Sequence, residues 1–183
     1  MGTCGGDGAI VRPLRAAGFD VIATDLADFG GEGIAAGVDY LTETLPRDVT
    51  GIVTNPPYRS AVEFARKALR EAPYLALLLR TNFLKSTARL PFFRAHPPAR
   101  VWISSRRLPM MHRNGWAGPT APSNTCFAWF VWDECAAAER VIDWFDWRAL
   151  PAAAEQRAAK AGSARTAYRT LPQPTPDGSG APG

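Results

Sequence analysis

The chain has 183 residues, 46% of them hydrophobic, and a formal net charge of +4. That length supports one domain with a sizeable core, and the composition is ordinary for a globular protein. No run of about 18 apolar residues occurs, which excludes a membrane-spanning helix, and no charged n-region with a following apolar stretch opens the chain, so a secretion signal is not expected.

In chain order, the first element is the glycine-rich turn Cys4-Gly5-Gly6-Asp7-Gly8. Such a turn running into a helix lets the backbone approach a ligand closely, with free N–H groups aimed at it. The spacing predicts a helix over 9–17, closed by Gly18, with Pro13 near its first turn. Val21–Thr24 is a β-branched strand ending at Asp25, close to the spacing of about 20 residues expected of an acid that grips ribose hydroxyls. Residues 26–37 are glycine-rich and carry no clear period. Gly51–Thr54 reads as a short buried strand that runs into Asn55-Pro56-Pro57-Tyr58. Ser60-x-x-Glu63 is a capping-box pattern opening a helix through Glu71, with Val62, Ala65 and Leu69 on one face. Tyr74–Leu79 is wholly apolar, as in a parallel sheet buried on both sides. Thr81-Asn82-Phe83-Leu84 leads to a short helix holding Phe92 and Phe93, and Val101–Ser104 and Cys126–Trp132 read as the final two strands, with Trp129 and Trp132 alternating with Phe130. The alternation of strand and helix is that of an α/β domain over 1–150. An Ala-rich helix over 151–162 and a Pro/Gly-rich disordered tail are expected in 151–183.

The residues at 55–58 carry the most chemistry. Two prolines end the strand and fix the backbone, leaving an amide and an aromatic ring at its tip. A planar amino group is a poor nucleophile because its lone pair is delocalised. The Asn55 oxygen and a carbonyl freed by the prolines can accept its two hydrogens and draw density back onto nitrogen, while Tyr58 stacks on the flat substrate.

These residues, with the glycine turn, resemble the S-adenosylmethionine-dependent amino-methyltransferases with an Asn-Pro-Pro-Tyr motif, most closely the N6-adenine DNA methyltransferases. The resemblance implies a Rossmann-like class I sheet, mostly parallel with an antiparallel edge strand. It implies S-adenosylmethionine as cofactor, held by Cys4, Gly6, Asp7, Gly8 and Asp25, with Asp39 on the adenine amino group and Tyr40 or Leu41 against the adenine ring. Asn55, Pro56, Pro57 and Tyr58 would then be catalytic: an adenine flipped out of the duplex takes the methyl group directly, without a general base. The same tetrapeptide serves enzymes acting on a protein glutamine or on an RNA base. In the family, a hydrophobic strand ending in an acid precedes the glycine turn and forms the centre of the sheet. Gly2 and Thr3 stand there, so this strand is expected to be missing, and a truncated, non-catalytic nucleic-acid-binding remnant is the reading from another class.

Charge is unevenly spread. Residues 1–50 hold three Lys and Arg against eight Asp and Glu, residues 51–132 hold twelve against two, and no acid occurs from Ala72 through Trp132. Arg80, Lys85, Arg89, Arg94, Arg100, Arg106, Arg107 and Arg113 all follow the proposed catalytic corner, where they would steer a polyanion. The long connection 105–125 is the candidate for substrate contact, with Arg80, Arg106, Arg107, Arg113 and Trp116 as nucleic-acid-binding residues. With no separate recognition domain, a short or relaxed site preference is expected. His96 and His112 read as structural. Cys4, Cys126 and Cys135 show no paired spacing, so a reduced, cytoplasmic protein without a structural metal is expected.

Overall fold

Apolar runs of four to seven residues fold here into five strands, three further strands are two residues each, and helices stand between some of them. The computed structural model describes residues 2–3, 6, 8–108, 125–136 and 140–149. The expected roles of Cys4, Asp7, His112, Arg113 and Trp116, and the expected helix and tail beyond residue 150, lie outside those residues. The chain divides into two units, Met1–Phe145 and Asp146–Gly183, and both sheets lie within the first.

Strands β1 (Gly2–Thr3), β2 (Ala23–Thr24) and β3 (Ile34–Ala35) form one parallel sheet in that order. Strands β4 (Gly51–Thr54), β5 (Tyr74–Arg80), β6 (Arg100–Ser104), β7 (Phe127–Asp133) and β8 (Val141–Phe145) form a second, in the order β4-β5-β7-β6-β8. β4 pairs with β5 in parallel, β7 runs antiparallel between β5 and β6, and β8 pairs in parallel with β6.

The central strand, expected to be truncated or missing, is present as two residues. Gly2 and Thr3 pair with Ala23 and Thr24, and β1 lies beside β4. Two residues form no ladder with β4, and the sheet is interrupted there. β8 is a correction, since Val101–Ser104 and Phe127–Asp133 are followed by one more strand, at the sheet edge.

The helix α1 (Val11–Ala16) ends just before Gly18, the residue expected to close it. Gly18 takes φ 83°, its N–H donates to the Arg15 carbonyl, and the Phe19 N–H donates to the Leu14 carbonyl. That is the Schellman pattern, which a residue with a Cβ adopts only under strain. Val11, Val21 and Ala23 make a small core beneath it.

The main core sits on β4, β5 and β7. Leu75, Leu77, Leu79, Ala128 and Phe130 are buried, and α2 (Ala61–Glu71) turns Ala61, Phe64, Ala65 and Ala68 onto them. The expected face of Val62, Ala65 and Leu69 is shifted: Ala65 is central and the other two are half-buried margins. The expected capping box does not form. Ser60 has φ −99° and ψ 9° and caps no N–H with its side chain. Its own N–H closes a turn onto the Pro57 carbonyl, which takes it out of the extended conformation that an N-cap uses. Helix α3 (Leu90–Ala95) buries Phe92 against Trp132, and the Trp132 indole N–H donates to the His96 carbonyl at 2.9 Å.

Candidate active site

The tip of β4 alternates between core and solvent. Thr54 and Pro56 are fully buried, and Asn55 and Pro57 are exposed. Burial of the first proline ring, with φ fixed, pins the backbone from which Asn55 projects. The Pro57 carbonyl accepts the Ser60 N–H at 3.0 Å and turns the chain into α2. Tyr58, 37% exposed, stands between these elements. Its ring lies 6.3 Å from Phe127, tilted by 48°, and the Arg80 guanidinium carbon lies 4.6 Å from its centroid. Arg80 and Phe127 are themselves cross-strand partners at the ends of β5 and β7, so Tyr58 leans across that pair.

Beside Tyr58 opens a pocket lined by Leu79, Arg80, Asn82, Phe83 and Arg89. Its floor is apolar and its rim carries a carboxamide and two guanidinium groups. Sequence reasoning did not assign Asn82 or Phe127 to the site. The signal available was position: Asn82 follows the end of β5, and Phe127 opens β7 just after the basic connection. Arg89 is held in place, with Nε donating to the Phe83 carbonyl at 2.8 Å and Nη2 to the Asn82 and Lys85 carbonyls at 2.9 and 3.1 Å. It thereby satisfies carbonyls at the end of the single helical turn Thr81–Leu84.

The second group of predicted residues gathers at the ends of β1 and β2. Asp25 is 8% exposed. Its Oδ2 accepts the Gly6 N–H at 2.9 Å and its Oδ1 accepts the Ala27 N–H at 3.1 Å. The backbone of Asp25 is fixed as well, donating to the Ala35 carbonyl and accepting from Val38. Each carboxylate oxygen keeps a further lone pair, so the pair of ribose hydroxyls expected there fits. Gly6 has a positive φ of 53°, and a Cβ at Gly31 would come within 3.0 Å of the Gly6 carbonyl oxygen. Glycine is therefore needed where these two loops meet. The side chain next to Asp25, Leu26, is 65% exposed, and no sequence motif marks it. An apolar side chain left in solvent beside a buried acid suits the face of a flat ring.

Asp39 and Tyr40 are divided by the structure. Asp39 Oδ1 accepts the Leu41 N–H at 3.0 Å and shapes the local turn. Tyr40 is 3% exposed and packs its ring 5.0 Å from Phe64, and its hydroxyl donates to Glu71 Oε2 at 3.0 Å. Burial, and then the Glu71 carboxylate beside it, push its phenol pKa up. The Tyr40 ring is thus committed to the core, and the half-buried Leu41 packs against the same core with part of its surface left open.

The basic stretch also divides. Arg100 Nη1 pairs with Asp133 Oδ2 at 3.0 Å, and Arg89 is committed to carbonyls, so both are structural. Arg80, Arg106 and Arg107 are exposed, as are Lys85 and Arg94. Ser104 Oγ donates to the Arg106 carbonyl at 2.6 Å and sets the chain leaving β6. Among the described residues no cluster of three His, Cys, Asp or Glu gathers, Cys126 and Cys135 are free and exposed, and no helix is long and apolar enough to cross a membrane.

In the five-stranded sheet, Asn55 follows β4 and Arg80 ends β5, at the carboxyl ends of parallel strands, where ligands of open α/β sheets bind. In the three-stranded sheet, Gly6 and Asp25 do the same. No protein-family model and no curated protein matches the chain. Among solved structures, a Listeria monocytogenes protein provisionally assigned as a class I S-adenosylmethionine-dependent methyltransferase aligns with a TM-score of 0.52 over 87% of this chain, at 12% identity. The chain spans 62% of the length of that protein. The likeness is one of architecture: this chain has the Rossmann-like α/β fold of the class I methyltransferases.

Proposed function

We propose that the protein transfers a methyl group from S-adenosylmethionine to an exocyclic amino group, N6 of adenine in DNA. The observation that carries this reading is the corner at 55–58: an exposed Asn55 and a half-exposed Tyr58 held on a buried Pro56. When bound, the cofactor supplies an electrophilic methyl group. Asp25 would hold its ribose hydroxyls, Leu26 and Leu41 would flank its adenine, and the Gly6–Gly8 backbone would approach its amino-acid end. Asn55 and the Pro56 carbonyl accept the two hydrogens of the target amino group. That localises the nitrogen lone pair, Tyr58 holds the base in plane, and the amino proton that methylation makes acidic leaves to solvent. Catalysis then rests on positioning and hydrogen bonding. The exposed Arg80, Arg106 and Arg107 favour a polyanionic acceptor, which speaks for nucleic acid over a protein glutamine.

The test is incubation with methyl-labelled S-adenosylmethionine and, separately, adenine-containing DNA, the same DNA with every adenine replaced, RNA, and a protein extract. Label in the first DNA alone is expected. Label in RNA or protein but not DNA moves the acceptor, and label in none of them removes the activity.

A further inference from the structure

The Arg80 guanidinium lies over one face of the Tyr58 ring. It lies 4.6 Å from the ring centroid, and among the described residues it makes no hydrogen bond or ion pair. Its two neighbours in the sequence behave differently. Leu79 is buried, and the Thr81 N–H is tied to the Cys126 carbonyl, so the backbone is fixed while the side chain is free to swing. Arg89, on the same pocket, is the contrast: a guanidinium held by three carbonyls. We infer that Arg80 is a stand-in for the target base, covering Tyr58 before substrate arrives and yielding that place when the base enters, so that its charge turns outward to a phosphate.

Magnitudes favour the exchange. An exposed cation–π contact is weaker than the stack of a base on an aromatic ring. A base therefore displaces the guanidinium, and a displaced guanidinium beside nucleic acid gains an anionic partner. The stand-in keeps an aromatic ring at the site from making indiscriminate apolar contacts, and it couples opening of the Tyr58 face to the approach of a polyanion. A free base or nucleoside, which brings no phosphate, bears the displacement without that return. Arg80 is in this sense a positioning residue, acting through Tyr58.

The proposal rests on the methyltransferase reading but is tested apart from it. Adenosine, neutral and planar, is titrated against wild type, Arg80→Ala, Tyr58→Ala and the double variant, with melting temperatures measured for each. A single-stranded oligonucleotide is titrated against the same set over a range of salt. Arg80→Ala is expected to bind adenosine about two- to fivefold more tightly, the worth of the lost contact. That gain is expected to vanish in the Tyr58→Ala background, which also separates it from any adenosine bound elsewhere. The same substitution is expected to weaken oligonucleotide binding and lower the log–log salt slope by about one. Opposite signs for the two ligands are not produced by a merely structural residue. Adenosine binding that is unchanged, weaker or undetectable in both wild type and Arg80→Ala overturns the stand-in role, as does an unchanged salt slope. Transfer from labelled cofactor by the wild type reports the underlying reading independently: transfer without the adenosine gain removes only the stand-in, and the gain without transfer removes only the methyltransferase.

Discussion

The backbone N–H of Gly6 donates to Asp25 Oδ2 at 2.9 Å, joining the glycine turn after β1 to the tip of β2 across 19 residues of chain. The same carboxylate takes the Ala27 N–H on its other oxygen. Asp25 therefore fixes the loop before it could serve any ligand. Asp25→Asn keeps the size but turns an NH2 group toward one of the two N–H donors, leaving that donor without an acceptor. A buried unsatisfied donor costs about 1–3 kcal/mol, so the melting temperature is expected to fall. S-adenosylmethionine binding, followed by calorimetry, is expected to weaken at least tenfold, and Asp25→Glu is not expected to restore it. Unchanged cofactor affinity in Asp25→Asn would remove the ribose assignment.

Asn55→Ala and Tyr58→Ala act at the other group. Both residues are exposed, and the corner is anchored by Pro56 rather than by them. Melting temperatures are therefore expected to stay within about 2 °C of wild type, in line with surface substitutions. Cofactor affinity is expected to stay the same, while methyl transfer falls by at least a hundredfold, because Asn55→Ala removes a preorganised hydrogen-bond group and Tyr58→Ala removes the ring that positions the base. Pro56→Ala is expected to behave oppositely, lowering both stability and transfer, because the buried ring is what holds the corner in place.

Why some elements could be read from sequence and others not is a matter of length and period. Tyr74–Leu79 and Cys126–Trp132 announce themselves as continuous apolar runs, and β5 and β7 lie within a residue of them. The β1 and β3 strands are two residues each, too short for any period, and are defined only by backbone pairing with β2. β8 carries an Asp in its middle and exposes Ile142 and Trp144, so its alternation is not that of a core strand. Asn55, Pro56 and Tyr58 were legible because the tetrapeptide carries its own chemistry. Tyr40 was not, because an Asp-Tyr-Leu segment does not say which of its side chains turns inward. Phe127 reaches the Tyr58 neighbourhood through the β5–β7 pairing, a contact across nearly fifty residues that no local pattern records, whereas Asn82 reaches it from just beyond the end of β5.

Tyr40 has a consequence at alkaline pH. Burial and the neighbouring Glu71 carboxylate raise its phenol pKa in the folded state, whereas the unfolded phenol titrates near the ordinary value of about 10. A raised folded pKa means that the folded state holds the proton more firmly. The contribution to stability is then fully present below about pH 10 and lost as pH rises above it. Tyr74, also raised chiefly by burial, adds to the same decline. Tyr40→Phe is expected to flatten the alkaline loss of stability in urea titrations at pH 9 to 11. At neutral pH it costs only about 1 kcal/mol, because Glu71 keeps its pairing with Lys67. An equally steep alkaline loss in Tyr40→Phe would assign the effect elsewhere.

Arg89 and Arg80 line one pocket and should answer differently to nucleic acid. The Arg89 fork is spent on the carbonyls of Phe83, Asn82 and Lys85, and its guanidinium also lies 5.2 Å over the Phe83 ring. Arg89→Ala leaves these carbonyls to water and strips a cation from the ring, which points to a loss of about 1–3 kcal/mol in urea denaturation. Arg89→Lys restores charge but not the planar fork, so it is expected to recover only part of that loss. Neither variant is expected to change the salt slope of oligonucleotide binding, because a guanidinium already committed to backbone oxygens releases no counterion at a phosphate. Arg106→Ala and Arg107→Ala, exposed beyond the end of β6, are each expected to lower that slope by about one. A slope lowered by Arg89→Lys and left unchanged at Arg106 and Arg107 would place the polyanion on the α3 side of the pocket instead.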